Sequence, residues 1–359
     1  MWLFSRNIDL TALYLPIGLC WLVLFNLPAD YLEADIPLWV WVVFVLCIDV
    51  GHVWSTIFRT YLDPEEFGQH RQLLIVAPLI SFVLVTGLAF ISIAWFWRLL
   101  AYLALFHFVK QQYGFLALYK MKAKDFGVQK IFQDKWVLYW ATLYPVVYWH
   151  CGTELNFSWF VMDDFVNIRS FFALSSNAWA LLFSGLNAFY WVIMLAWTLE
   201  EIFRSDKIST GKILWMLMTA MNWYAGIVYF NSDLVFTVSN VLAHGIPYLT
   251  LIIYYQHQKK TLKQNRLISA FQVAAVILPM VFLLAWLEEY CWDMLVYGDR
   301  ESFFGAVVAY PFELLENPFT QAIAIGLLTL PQLTHYIIDG FIWKSNAANP
   351  YVKQIFKAK

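Results

Sequence analysis

The sequence predicts an all-α fold, a polytopic transmembrane helical bundle of about ten spans, and three observations carry that prediction. First, 61% of the 359 residues are hydrophobic and 13% are charged, whereas a soluble chain carries about 25% charged residues. Second, apolar runs of the length a span requires, ~20 residues, fill nearly the whole chain. Third, basic residues collect in every second loop, as the positive-inside rule expects. A soluble chain of this length would divide into two domains. Here the apolar runs leave no room for a soluble module, and residues 1–359 read as a single integral membrane domain.

The spans are expected at 10–28, 36–58, 73–92, 96–119, 135–151, 178–199, 211–230, 233–255, 266–287 and 320–343. The third and fourth are joined tightly around Ile93–Trp97. Met1–Leu10 has one basic residue and no small-residue cleavage site follows it, so the first run is expected to be a permanent span and not a cleaved signal. Trp and Tyr are abundant, as the two faces of a bilayer favour.

Charge then orients the bundle. The loop 29–35 holds Asp30, Glu33 and Asp35 and no base, and the next carries Arg59 and Arg71. Lys120, Lys122, Lys124, Lys130 and Lys135 follow span four; Arg204, Lys207 and Lys212 lie between spans six and seven; Lys259, Lys260, Lys263 and Arg266 between eight and nine; Lys344, Lys353, Lys357 and Lys359 after the last. The intervening loops are acidic on balance: Glu154, Asp163 and Asp164 against Arg169, then Asp233, then Glu288 through Glu316 against Arg300 alone. Ten spans with both termini cytoplasmic satisfy every loop, in what is expected to be a bacterial inner membrane. A net charge of −2 argues against a nucleic-acid partner; the partners expected are the bilayer and a hydrophobic small-molecule or lipid substrate, with an electron donor if the chemistry is redox.

Four cysteines without a CxxC exclude a zinc ribbon or a thioredoxin-type site. Cys151 and Cys291 fall in outer loops, where an oxidising compartment would let them pair.

Polar residues inside the spans locate the candidate site, because such groups are costly in lipid and face the bundle interior. Span two carries Asp49, His52, Thr56 and Arg59 at spacings of three, four and three, one helix face. Span four carries His107, Lys110, Gln111 and Gly114; span eight Thr237, Asn240, His244 and Tyr248; span ten Gln332, His335 and Asp339. Counting back from the inner basic boundary, His52 and His335 lie ~10 and ~14 Å deep and His107 and His244 ~20 and ~22 Å. A lone histidine in a span usually makes an interhelical hydrogen bond. Four of them at similar depth, one per polar stripe, point to a joint site. His70, His150 and His257 fall at the surfaces and are expected to be solvated or interfacial, like Glu288 and Glu289. Pro247 and Pro331 each stand near a key histidine, where a proline frees a backbone carbonyl and kinks the helix.

Neutral imidazole suits iron, copper and zinc, and amide or carboxylate oxygen can complete the shell. The expected metal ligands are therefore His52, His107, His244, His335 and Gln111. Asp49, Asp339 and Lys110 are expected to act in catalysis, with Lys110 buried and paired to one of the two carboxylates, as a buried charge must be. A transition metal, iron foremost, would serve an oxidoreductase or oxygenase acting on a lipid-phase substrate. The same ionisable set also fits the proton relay of a proton-coupled transporter, and two histidines on facing helices fit a bis-histidine haem.

One histidine on each of four elements resembles the four-histidine iron arrangement of the Brp/Blh-type carotenoid-cleaving dioxygenases. The HGIPY segment at His244 is similar to the HG-containing segments of that group. Histidine-bearing polytopic membrane proteins also include the di-iron desaturases and hydroxylases. The resemblance implies a membrane metallo-oxygenase with iron on histidine.

Overall fold

The computed structural model describes every residue except 33–35, 126–129, 153–157, 173, 204–207, 265–268, 306–316 and 357–359. Of the residues used above for topology, Glu33, Asp35, Glu154, Arg204, Lys207, Arg266, Glu316, Lys357 and Lys359 lie outside the described residues. The described residues form helices and no strand. Seven helices are long and apolar enough to cross a membrane: α1 (Arg6–Leu24), α2 (Leu38–Arg59), α3 (Arg71–Ile91), α4 (Ile93–Ala123), α6 (Ser176–Phe203), α8 (Asp233–Gln264) and α9 (Ala270–Tyr297). Two more, α10 (Pro318–Leu328) and α11 (Leu330–Ile342), meet at a 42° bend and together would make an eighth span. The expected spans 135–151 and 211–230 are also helical, as α5 (Asp134–His150) and α7 (Thr210–Trp223), the latter running on in a wide turn over Tyr224–Tyr229. Neither passes the same test of length and hydropathy. Large apolar side chains such as Val83, Leu84, Leu181 and Phe271 stand exposed, as lipid-facing residues of an integral membrane protein do.

The boundaries have local causes. Ser92 alone is extended between α3 and α4 (φ −162°, ψ 114°), so α4 begins at Ile93, earlier than the hydropathy suggested. A capping box starts α9: Ser269 Oγ accepts from the Phe271 N–H and the Gln272 side chain accepts from the Ser269 N–H. Asn317 caps α10 ahead of Pro318. At the bend, Thr329 Oγ1 donates to the Ile325 carbonyl at 2.7 Å. Pro331, which has no N–H to donate, stands in the first turn of the restarted helix.

The chain divides into two compact units. The first comprises Met1–Pro37, Leu105–Pro247 and Phe356–Lys359. There Asp9 is buried and accepts from the Leu3 N–H (2.7 Å), the Phe4 N–H (3.0 Å) and the Tyr119 hydroxyl (2.9 Å). Past α4 lies an ionic network that the basic loops only half announced. Lys212 pairs with Asp125 (2.5 Å) and Glu201 (2.6 Å), Lys120 with Asp134 (2.8 Å), and Lys130 with Asp125 (3.0 Å) and Glu201. Burial would raise the Asp134 carboxyl, but Lys212, Lys120 and Lys130 outweigh it and hold the group down at about 2. Asp125 is likewise depressed by Lys212 and Lys130 against its burial.

The second unit comprises Leu38–Ala104 and Tyr248–Ile355. Gly326 lets α10 lie against α3, since a Cβ there would collide with Thr86 Oγ1. A second network closes the lower end of α2. The Arg59 guanidinium pairs with Glu66, stacks 4.2 Å over the Tyr255 ring and donates to the Ile342 carbonyl at 3.0 Å. Lys259 reaches Asp63 and Glu66, each at 2.7 Å. Burial would raise the carboxyls of Asp63 and Glu66; Lys259 at the first, and Arg59, Lys259 and Tyr255 at the second, bring both below their ordinary values. All four cysteines are free thiols, so Cys151 and Cys291 are unpaired.

Candidate metal centre

In the first unit, His107 on α4 and His244 on α8 are both buried, at 4% and 0% exposure. Their ring centroids lie 5.0 Å apart at 81°. The His244 imidazole stacks on Phe108, centroids 3.7 Å apart and planes 5° from parallel, which fixes the ring plane. The α8 backbone here is held by two adjacent glutamines of α4. Pro247 has no N–H for the Ala243 carbonyl, and Gln112 Nε2 supplies that bond at 3.3 Å. Gln111 Nε2 donates to the next carbonyl, His244 O, at 2.7 Å. Gln112 Oε1 accepts from Thr219. Gln111 Oε1 is buried and has no hydrogen-bond partner among the described residues, so the oxygen expected to serve as a ligand is also the atom with nothing else to bind.

Lys110 departs from expectation. Its side chain is exposed, with the ammonium 5.4 Å from the Tyr113 ring centroid and 6.0 Å from that of Phe106. At 3.6 residues per turn, positions 110 and 111 stand about 100° apart around α4. When Gln111 turns to the interior, Lys110 turns to the outer surface, where a long amphipathic chain can carry its charge toward the polar region.

In the second unit, His52 on α2 and His335 on α11 repeat the same relationship, with centroids 5.0 Å apart at 80° and both rings buried. A chain of hydrogen bonds orients His335. Its Nδ1 lies 2.7 Å from Thr56 Oγ1, Thr56 lies 3.0 Å from the Tyr248 hydroxyl, and Tyr248 donates to Asp339 Oδ1 at 2.5 Å. Thr56 was expected on the His52 face, and Asp339 thus reaches His335 through two hydroxyls. Asp49 Oδ1 lies 3.6 Å from His52 Nδ1, with the Asp49 side chain 29% exposed. Gln332 turns to the Tyr336 hydroxyl at 2.8 Å, and Asn240, in the first unit, donates to the Phe236 carbonyl of its own helix at 3.1 Å.

Two residues expected to be solvated are not. His150 is buried, its Nδ1 2.7 Å from the Val146 carbonyl. Glu288 is half-buried and accepts from Trp54 Nε1 at 2.6 Å; in an apolar span the carboxylate takes the nearest donor and does not extend to water. His70, half-buried, is 2.9 Å from Asn349 Oδ1.

Among the described residues, His52, His107, His244 and His335 are a histidine cluster that could hold a metal ion, and so could Asp125, Asp134 and Glu201. The carboxylate group is already served by Lys120, Lys130 and Lys212, and three ammoniums against three carboxylates leave little negative charge for a cation. Two imidazoles bound side by side to one ion, with metal–nitrogen bonds of ~2.0–2.1 Å, hold their centroids ~5 Å apart. Both pairs have that spacing.

No family model matches the chain, and no curated protein or solved structure was found similar to it.

Proposed function

We propose that the chain is a membrane-embedded, metal-dependent oxidoreductase or oxygenase for a lipid-phase substrate, in which His52, His107, His244 and His335 share one transition-metal ion. The observation that carries the reading is the repeated pair geometry: two buried histidine pairs with centroids 5.0 Å apart, a spacing that suits neighbouring ligands on one ion. Tyr248 packs on the second pair, its ring 5.0 Å from His335 and 5.7 Å from His52.

Gln111 Oε1 is the candidate fifth ligand. Asp339, through Tyr248 and Thr56, holds the His335 ring; such an outer partner fixes ring orientation and raises ligand basicity. Four neutral imidazoles and an amide suit iron, which would supply one-electron and oxygen chemistry with an electron donor as partner. The residues themselves bind the ion, orient it and keep water scarce. Lys110, at the outer surface, takes no part.

The test is metal analysis of the purified protein and of four single variants, each histidine replaced by alanine. Iron without haem absorption in the parent, reduced in every variant while membrane insertion is retained, supports the reading. Full metal retention in one variant removes that residue. No metal in the parent makes the transporter reading the better account. The accompanying topology, ten spans with both termini cytoplasmic, is tested by tag accessibility; an outward tag after Lys359 overturns it.

A further inference from the structure

A cleft of about 230 Å³ opens beside His335, lined on α2 by Val53, Thr56 and Ile57 and on α11 by Pro331, Thr334 and Ile338 among others. Its wall is almost wholly apolar. It is smaller than the ~300–1,000 Å³ of pockets that take whole drug-sized ligands, and a segment of a single hydrocarbon chain fits it.

Thr334 adds a second, independent feature. A helical threonine usually returns its hydroxyl to the carbonyl one turn back, and Thr60, Thr142, Thr219, Thr261 and Thr329 all do so here. Thr334 does not. It is 7% exposed, and its Oγ1 has no hydrogen-bond partner among the described residues. A buried hydroxyl without a partner is costly, and the cleft that Thr334 lines is where a partner would arrive.

We infer that this cleft binds a single-chain, lipid-phase molecule bearing one hydrogen-bonding oxygen, a long-chain alcohol being the simplest, with that oxygen on Thr334 Oγ1 and the chain along Val53, Ile57 and Ile338. The inference names the substrate class of the site proposed above and rests on that reading for its catalytic meaning. Binding itself needs only these side chains.

The experiment uses the full chain in lipid nanodiscs and hexadecanol carrying a mid-chain diazirine, with labelled peptides mapped by mass spectrometry. Labelling should concentrate on the peptides holding Val53–Ile57 and Leu330–Ile338. Excess hexadecanol should suppress it ~10-fold more strongly than excess hexadecane, a difference of ~1.4 kcal/mol. Thr334→Val keeps the shape, removes the unpartnered hydroxyl and should abolish the preference for the alcohol. Ile57→Trp should fill the cleft and abolish saturable labelling. Equal suppression by alcohol and alkane in the parent, or a preference that survives Thr334→Val, overturns the inference. So does saturable labelling that persists in Ile57→Trp. Labelling retained after chelation supports a cleft built from side chains, whatever the metal analysis finds; labelling lost with the metal overturns it.

Discussion

Gln112 Nε2 stands 3.3 Å from the Ala243 carbonyl oxygen, the backbone acceptor that Pro247 leaves without its helical donor. Proline inside α8 is therefore tolerated because a side chain from α4 makes the missing bond. Gln112→Leu should destabilise the protein by ~1–3 kcal/mol, the cost of a buried acceptor left unpaired. In a Pro247→Ala background, where residue 247 regains its N–H, the same change should cost less. Thermal midpoints of the four proteins in detergent measure the coupling, and equal costs in the two backgrounds would remove this account of Gln112.

The orientation of His335 through Thr56, Tyr248 and Asp339 predicts a graded effect on metal binding. Thr56→Val and Asp339→Asn should each weaken metal affinity ~10–100-fold, as loss of an outer partner does, while leaving all four histidines in place. Chelator competition reads the affinity directly. An unchanged value in both variants would mean that the hydrogen-bonded chain does not serve the metal.

Lys110 should be dispensable. Because its side chain is exposed, Lys110→Met should shift stability by no more than ~0.5 kcal/mol and leave the metal content unaltered. A large loss of metal in this variant would return Lys110 to the site.

The two ionic networks set the pH response. The carboxyls of Asp63, Glu66, Asp125 and Asp134 are lower in the folded state than their ordinary values. Each therefore contributes stability that is complete above its ordinary value and is lost as pH falls. For Asp134 the window runs from its ordinary 3.8 down to about 2. Lys130 has the opposite sign. Burial alone would lower its ammonium, but Glu201 and its other anionic neighbours raise it, so its contribution holds below its ordinary value and fades as pH rises beyond it. Denaturation should thus steepen below pH ~4. Asp134→Asn should flatten that acid limb and cost ~1–3 kcal/mol at neutral pH, because Lys120 loses its partner while Lys130 and Lys212 keep Asp125 and Glu201. An acid limb unchanged by the substitution would exclude Asp134 as its source.

Much of the fold was legible because lipid imposes a simple rule: apolar runs must be helices. Helices stand at all ten expected positions. What hydropathy could not give was their ends, since Ser92 breaks α3 from α4 through its backbone conformation and the bend at Thr329 follows from Pro331. The four histidines and Thr56 were legible from helical spacing. Lys110 was misplaced because positions 107, 110 and 111 look equivalent on a coarse helical face, and only the packing of Gln111 decides which turns inward. The ionic networks were half visible. Their lysines stood out as basic clusters, but Asp63, Asp125 and Asp134 are ordinary loop or helix-start residues in sequence, and only the fold brings them to those lysines. Pro247 requires a donor from a neighbouring helix, and Gln112 on α4 is that donor.

The residues Trp41–Val50 of α2 wind in wide turns, and the ordinary helix resumes at Gly51. A wide turn closes its hydrogen bonds one residue further along than an α-helix does, so this stretch holds slack that a regular helix lacks. Taking up one residue of that slack would swing Asp49 and everything before it by about 100° around the helix axis, while His52, Thr56 and Arg59 stayed anchored by their own contacts. The half of α2 before Gly51 is thus wound differently from the half that carries His52, Thr56 and Arg59.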